Sequence, residues 1–71
     1  MSKGLDDALL QAHVRQDLSA LVDLYTKAAD VVEDLDAECF YLTHAYIFAL
    51  DFGDARANAL HVRLVHHGRE A

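Results

Sequence analysis

The chain has 71 residues, of which 54% are apolar, and its 12 acidic and 6 basic side chains give a net charge of −6. This length allows a single domain, residues 1–71, with a thin core. The apolar fraction excludes a disordered chain, the single Cys39 excludes an intramolecular disulfide framework, and the negative charge argues against nucleic acid as a partner.

Apolar residues recur at the three- and four-residue spacing of an amphipathic helix throughout the chain. Proline is absent, and glycine occurs only at positions 4, 53 and 68, so the helices have few breaks. The spacing predicts four helices, over roughly 5–15, 18–34, 37–52 and 55–67. The predicted fold class is therefore all-α, with four antiparallel helices arranged as two helix-turn-helix units.

Several predicted helix ends carry local signals. Asp17, Asp36 and Asp54 are placed to begin helices two, three and four, since an aspartate at this position accepts a hydrogen bond from a free backbone amide. Gly53 and Gly68 are placed to end helices three and four in the left-handed conformation.

The third helix is the most apolar, because 12 of the 16 residues in 37–52 are hydrophobic. A helix that is apolar on nearly every side is expected to be covered on nearly every side. We therefore expect it to be central, contacted by the other three helices or by a second chain. Its aromatic residues Phe40, Tyr41, Tyr46 and Phe48 are interpreted as packing residues.

Charge is distributed unevenly along the chain. Residues 1–54 hold 11 acids and 3 bases, a balance of −8, whereas residues 55–71 hold Arg56, Arg63 and Arg69 against one acid, a balance of +2. We expect the two parts to attract each other, within one molecule or between two.

The segment that begins at Gln16-Asp17 resembles the second helix of a tetratricopeptide repeat, with Tyr25 and Ala28 at the family's aromatic and alanine positions. Phe52-Gly53-Asp54 matches the turn of a following repeat, and Leu42 and Ala45 match the start of its first helix. The two turns lie 37 residues apart, against ~34 in that family.

The resemblance implies two tetratricopeptide-like units packed in a right-handed superhelix, with an ordinary antiparallel four-helix bundle as the alternative. Arrays of such repeats usually need ~3 units to be stable. We therefore expect a second copy to cover the exposed face of helix three, in a two-fold homodimer.

The resemblance also implies a binding surface for extended peptides or partner helices on the inner face of the first helix of each unit. The positions carried over are Lys3, Asp6, Leu10 and His13 from helix one and Thr43, Ile47, Leu50 and Asp51 from helix three. Ile47 and Leu50 could equally be core or dimer contacts.

Catalytic and metal-binding patterns were also considered. The five histidines lack the spacing of three or four that lets two rings on one helix bind one ion. Cys39 and His44 are five residues apart, about 140° around a helix, and so do not form a nucleophile–base pair. We expect no enzyme activity, no metal site and no cofactor.

These patterns together predict a small, non-catalytic protein–protein interaction module that binds a protein or peptide. A lone thiol and the absence of a long apolar run favour a cytoplasmic protein without membrane contact. Two alternatives remain open. One is an accessory subunit whose basic last helix docks an acidic partner or nucleic acid, and the other is a metal-binding helical bundle.

Overall fold

The structure, a computed structural model, describes residues 3–69. These residues form four helices and no strand, namely α1 (Lys3–Arg15), α2 (Leu18–Val31), α3 (Leu35–Phe52) and α4 (Arg56–His66). The all-α fold class is confirmed. The predicted second helix was too long, since α2 ends at Val31 rather than at residue 34, and α3 begins at Leu35 rather than at residue 37.

The residue that caps α3 differs from the prediction. Asp17 caps α2 as predicted, accepting a hydrogen bond from the amide of Ala20 at 3.1 Å. At α3, however, the cap is Asp34, which accepts from the amide of Ala37 at 2.8 Å. Asp34 has the extended backbone of a capping residue, whereas Asp36 already lies in the first helical turn, so Asp36 cannot be the cap.

The turns that end α1 and α3 have the same geometry. Gln16 and Gly53 both adopt a positive φ, 53° and 74°, and the next amide in each case bonds back into the helix, from Asp17 to Ala12 (3.0 Å) and from Asp54 to Ala49 (2.8 Å). The corresponding residues are all 37 positions apart. This equivalence supports the division of the chain into two similar units.

Three further predicted helix ends can be compared with the structure. Gly68 follows α4 with φ 75°, and Gly53 ends α3 in the left-handed region, both as predicted. Asp54 does not occupy the N-cap position of α4 as predicted, because this position belongs to Ala55, which makes no side-chain cap hydrogen bond. Asp54 nevertheless accepts from the amide of Arg56 at 2.9 Å, so it satisfies one free amide of α4.

The core has two parts that share two aromatic rings. The larger part joins α2, α3 and α4 and contains the fully buried Leu42 and Leu64. The smaller part holds α1 against α2 through Leu9, Ala12 and Leu21. Tyr25 and Phe48 pack against both parts; α1 therefore depends on these rings, as well as on α2, for its attachment to the molecule.

The helices pack in chain order, α1 on α2, α2 on α3 and α3 on α4, and two sets of side-chain contacts reach beyond these neighbours. Phe48 of α3 meets His13 of α1, with ring centroids 5.8 Å apart. Arg56 and Arg63 of α4 reach α2, where they pair with Asp23 at 3.9 Å and Asp30 at 2.9 Å. Side chains thus link α1 to α3 and α2 to α4, although the backbones of these helices are not neighbours.

The predicted covering of α3 is only partly provided by one chain. The molecule measures 32 × 28 × 12 Å, and a body this thin leaves one side of its central helix open. Phe40, Ile47 and Leu50 of α3 are 57%, 49% and 55% exposed. The interpretation of Phe40 as a packing residue holds only for its contacts with the rings of Tyr41 and His44, since more than half of its side chain is exposed in the single chain.

Candidate interaction surface

All eight predicted partner-binding residues lie within the described chain. Seven are exposed and Thr43 is half-buried. The α1 members are Lys3, Asp6, Leu10 and His13, and the α3 members are Thr43, Ile47, Leu50 and Asp51. Of the α1 members, His13 reaches α3, where its ring contacts Phe48, so the structure does not join the α1 and α3 members into one continuous surface.

One face of α3 is exposed along most of its length, and we call its residues the α3 stripe. Its members recur at helical spacing, so they share one side of the helix. They are Asp36, Phe40, Thr43, Ile47, Leu50 and Asp51. The sequence analysis identified four of these six residues. It assigned Phe40 to packing and Asp36 to helix capping, because the sequence does not show which side of an almost wholly apolar helix remains open.

The α3 stripe lies beside an array of aromatic and imidazole rings. Tyr25 stands at its centre, with its ring 5.9 Å from Phe48 and 5.2 Å from His44 between centroids. Its hydroxyl is 2.8 Å from Nε2 of His13, and burial, followed by the nearby Tyr41, raises the pKa of Tyr25. Each ring of the array contacts at least one other, in the edge-to-face or offset arrangements that aromatic rings favour.

His44 connects the array to Phe40. The two rings are 4.4 Å apart, and Nδ1 of His44 lies 2.9 Å from the carbonyl oxygen of Phe40. Because a carbonyl can only accept, Nδ1 carries the proton and donates in this bond. The ring of Phe40 therefore contacts His44, one turn further along the helix, although more than half of the Phe40 side chain is exposed to solvent.

Two open clefts adjoin the α1 and α3 faces. One, of about 450 Å³, is lined by His13, Gln16, Leu18, Leu21 and Phe48. The other, of about 490 Å³, is lined by Asp36, Cys39, Phe40, Thr43, His44 and Arg69. Cys39 and His44 thus share a cleft, but the protonated nitrogen of His44 is bonded to a backbone carbonyl and not to the thiol. Within residues 3–69, no three histidine, cysteine or acidic side chains lie close enough to hold a metal ion.

The arginines of the basic last segment are bound within the molecule. Arg63 pairs with Asp30 at 2.9 Å and Glu38 at 3.3 Å, and Arg69 pairs with Asp36 at 2.6 Å. The expected attraction between the acidic and basic parts of the chain is confirmed as an intramolecular contact. A hydrogen bond from His67, followed by one from Arg63, also lowers the pKa of Glu38 against the opposing effect of burial.

Arg56 and Asp54 form an ion pair at the turn between α3 and α4. Nη2 of Arg56 lies 2.6 Å from Oδ2 of Asp54, and this guanidinium contact, with a second bond from the Arg56 amide, lowers the pKa of Asp54 from 3.8 to about 2. The same guanidinium donates to the carbonyl of Ser19 at 3.4 Å, so it links α4 to the start of α2.

The Asp54 carboxyl is expected to titrate with a midpoint of about 2. A carboxyl whose pKa is lowered by folding stabilises the protein fully above its ordinary pKa, and this contribution is lost as the pH falls from about 4 towards 2. Carboxyl NMR chemical shifts followed against pH would measure the midpoint. In Arg56→Met it should return towards 3.8; an unchanged midpoint in that variant would contradict the assigned cause.

In the described part of the chain, no helix is both long and apolar enough to cross a bilayer. The chain was also compared with known proteins. No family model, no curated protein and no solved structure matches it.

Proposed function

We propose that this chain is a small, non-catalytic protein–protein interaction module of two tetratricopeptide-like units, which acts through the open faces of α1 and α3. The observation that carries the proposal is the α3 stripe, where Phe40, Ile47 and Leu50 are about half exposed on the most apolar helix. Large apolar side chains grouped on one face are typical of surfaces that bind another protein.

The equivalent turns of α1 and α3 support the comparison with a helical repeat. In such arrays, the surfaces available to partners are repeated faces of successive units. The proposal includes a cytoplasmic location, which is supported by the free, buried thiol of Cys39, since the reducing cytoplasm keeps thiols unpaired.

The chemistry of the α3 stripe indicates what a partner must provide. Three apolar side chains require apolar contacts, and Asp51 forms no ion pair with any described residue. A matching surface therefore carries apolar side chains and a cation close to Asp51.

The alternative of docking through a basic last helix has less support. Arg56, Arg63 and Arg69 already bind carboxylates of their own chain. An acidic partner or a nucleic acid would have to break these pairs before it could use the same cations. Free arginines would have favoured that alternative.

Photo-crosslinking can test the proposed surface. One variant carries benzoylphenylalanine in place of Ile47. A control variant carries it in place of Val62, an exposed residue of α4, and cells that contain either variant are irradiated. We expect discrete adducts from position 47, whether with a second copy or a different protein, and loss of these adducts when Leu50→Asp is added. Equal labelling from both positions, or no adduct from position 47, would refute the proposal.

A further inference from the structure

The α3 stripe has a pattern that can match a second copy of itself. It extends from Asp36 to Asp51, so its midpoint lies between Thr43 and His44. A two-fold axis through that midpoint, perpendicular to the helix, places residue i of one copy opposite residue 87 − i of the other. In a two-fold interface, each such contact occurs twice.

This pairing brings together side chains of suitable size. Phe40 falls opposite Ile47 of the second copy, and Leu50 falls opposite Ala37 of the second copy. Large residues therefore meet either another apolar side chain or a small one, which is the alternation that lets two helices interdigitate. The same axis lies close to the middle of the exposed side of α3, because the three apolar residues are distributed on both sides of it.

The ends of the stripe also match once Arg69 is included. The axis places Asp36 opposite Asp51 of the second copy, and two facing carboxylates alone would repel. Arg69 lies at this end of the stripe, since its guanidinium is 2.6 Å from Asp36, and its side chain is 42% exposed. A guanidinium has five N–H donors, so Arg69 can bind both carboxylates and provide the cation that Asp51 lacks within its own chain.

A standard interface buries ~800 Å² on each partner, which is more than a strip along one helix supplies. Within a molecule whose principal extents are 32 × 28 × 12 Å, the two copies must therefore also contact each other through residues that flank the α3 stripe. Other exposed apolar residues lie on the two outer helices, such as Val14 on α1 and Val62 on α4, and offer a different contact. Because these two residues lie on different helices, pairing one with the other would be head-to-tail, and such contacts give an open-ended chain unless their rotation closes a ring.

We propose that the partner of the α3 stripe is the α3 stripe of a second copy, bound antiparallel about a two-fold axis between Thr43 and His44, with Arg69 of each copy bridging Asp36 and the opposite Asp51. This inference rests on the proposed function, because it names the occupant of the same surface.

Sedimentation equilibrium of the full chain, from micromolar to near-millimolar concentration, tests the arrangement. We expect a closed species of twice 7.9 kDa. Ile47→Asp should weaken association by at least ~100-fold, since it places an unpaired carboxylate in the interface. Val14→Asp should leave it unchanged. Circular dichroism of each variant would establish that the helices remain folded.

A charge exchange tests the role of Arg69. Arg69→Glu should weaken the dimer by about tenfold, and the double variant Arg69→Glu/Asp51→Arg should recover most of that loss, because the opposite charges are restored across the axis. Arg15→Glu is the matched control, since it changes net charge equally at an arginine without an ion pair among the described residues.

Three results would overturn the inference. These are a monomer at every concentration, a dimer indifferent to Ile47→Asp, and an open-ended assembly removed by Val14→Asp. A monomer would leave the proposed function standing if position 47 still crosslinks to a different protein. Absence of any adduct from position 47 would remove both.

Discussion

The Leu42→Ala variant is expected to lose about 3 kcal/mol of its free energy of unfolding. Leu42 lies in the middle of α3, is 0% exposed and belongs to the larger part of the core. Its truncation removes apolar contact area and leaves a cavity between helices that cannot fully close. A chain of this length has a total stability of roughly 4–11 kcal/mol, so a large part of it depends on this one side chain. Urea denaturation followed by circular dichroism would measure the loss.

Leu10→Ala is the matched control for this measurement. Leu10 has the same side chain but is 62% exposed on α1, so its truncation should cost less than about 0.5 kcal/mol. Both variants must be compared at the same protein concentration, because self-association adds to the apparent stability. Equal losses in the two variants would contradict the assignment of Leu42 to the core.

The helices could be predicted because their signals are local. Apolar spacing identified all four, and Asp17, Gly53 and Gly68 act where the sequence suggested. The start of α3 was predicted two residues late because Asp34 and Asp36 are both plausible caps by residue type. The choice between them depends on the residue at which α2 ends. Val32 ends it with an extended backbone, and no residue type in this segment signals that conformation.

The open face of α3 could be predicted only in part. Hydrophobicity indicated that α3 is central, but a helix that is apolar on almost every side does not reveal which side its neighbours cover. The family resemblance selected Thr43, Ile47, Leu50 and Asp51, all of which lie on the exposed stripe. It did not select Phe40, whose exposure follows from the thinness of the whole molecule and so cannot be inferred from local spacing.

The internal pairing of the arginines was predicted as a tendency and not as contacts. Net charges showed that residues 55–71 should attract the rest of the chain. The specific pairs require the relative position of α2 and α4, which the sequence does not state. A signal was nevertheless present: Asp23 and Asp30 are seven residues apart, as are Arg56 and Arg63, so two turns of one helix can match two turns of the other.

Phe48→Asp is expected to destabilise the protein by at least ~3 kcal/mol and to release α1 first. Phe48 packs against both parts of the core and contacts His13 of α1. An aspartate there would remove the ring that links α1 to α3 and place a carboxylate among apolar side chains. Hydrogen exchange should therefore show the amides of α1 losing protection before those of α2 and α3.

Phe40→Asp distinguishes this structural role from the role proposed for the surface of the same helix. Both changes replace a phenylalanine of α3 by aspartate, but Phe40 faces solvent and joins neither part of the core. It should therefore retain the helical circular dichroism signal and the protection of α1 while losing self-association. If Phe40→Asp unfolded the chain as Phe48→Asp does, the exposed side of α3 would be part of the fold itself. A folded, fully associated Phe40→Asp would instead place the contact between copies elsewhere, since its carboxylate would otherwise be buried against Ile47 of the second copy.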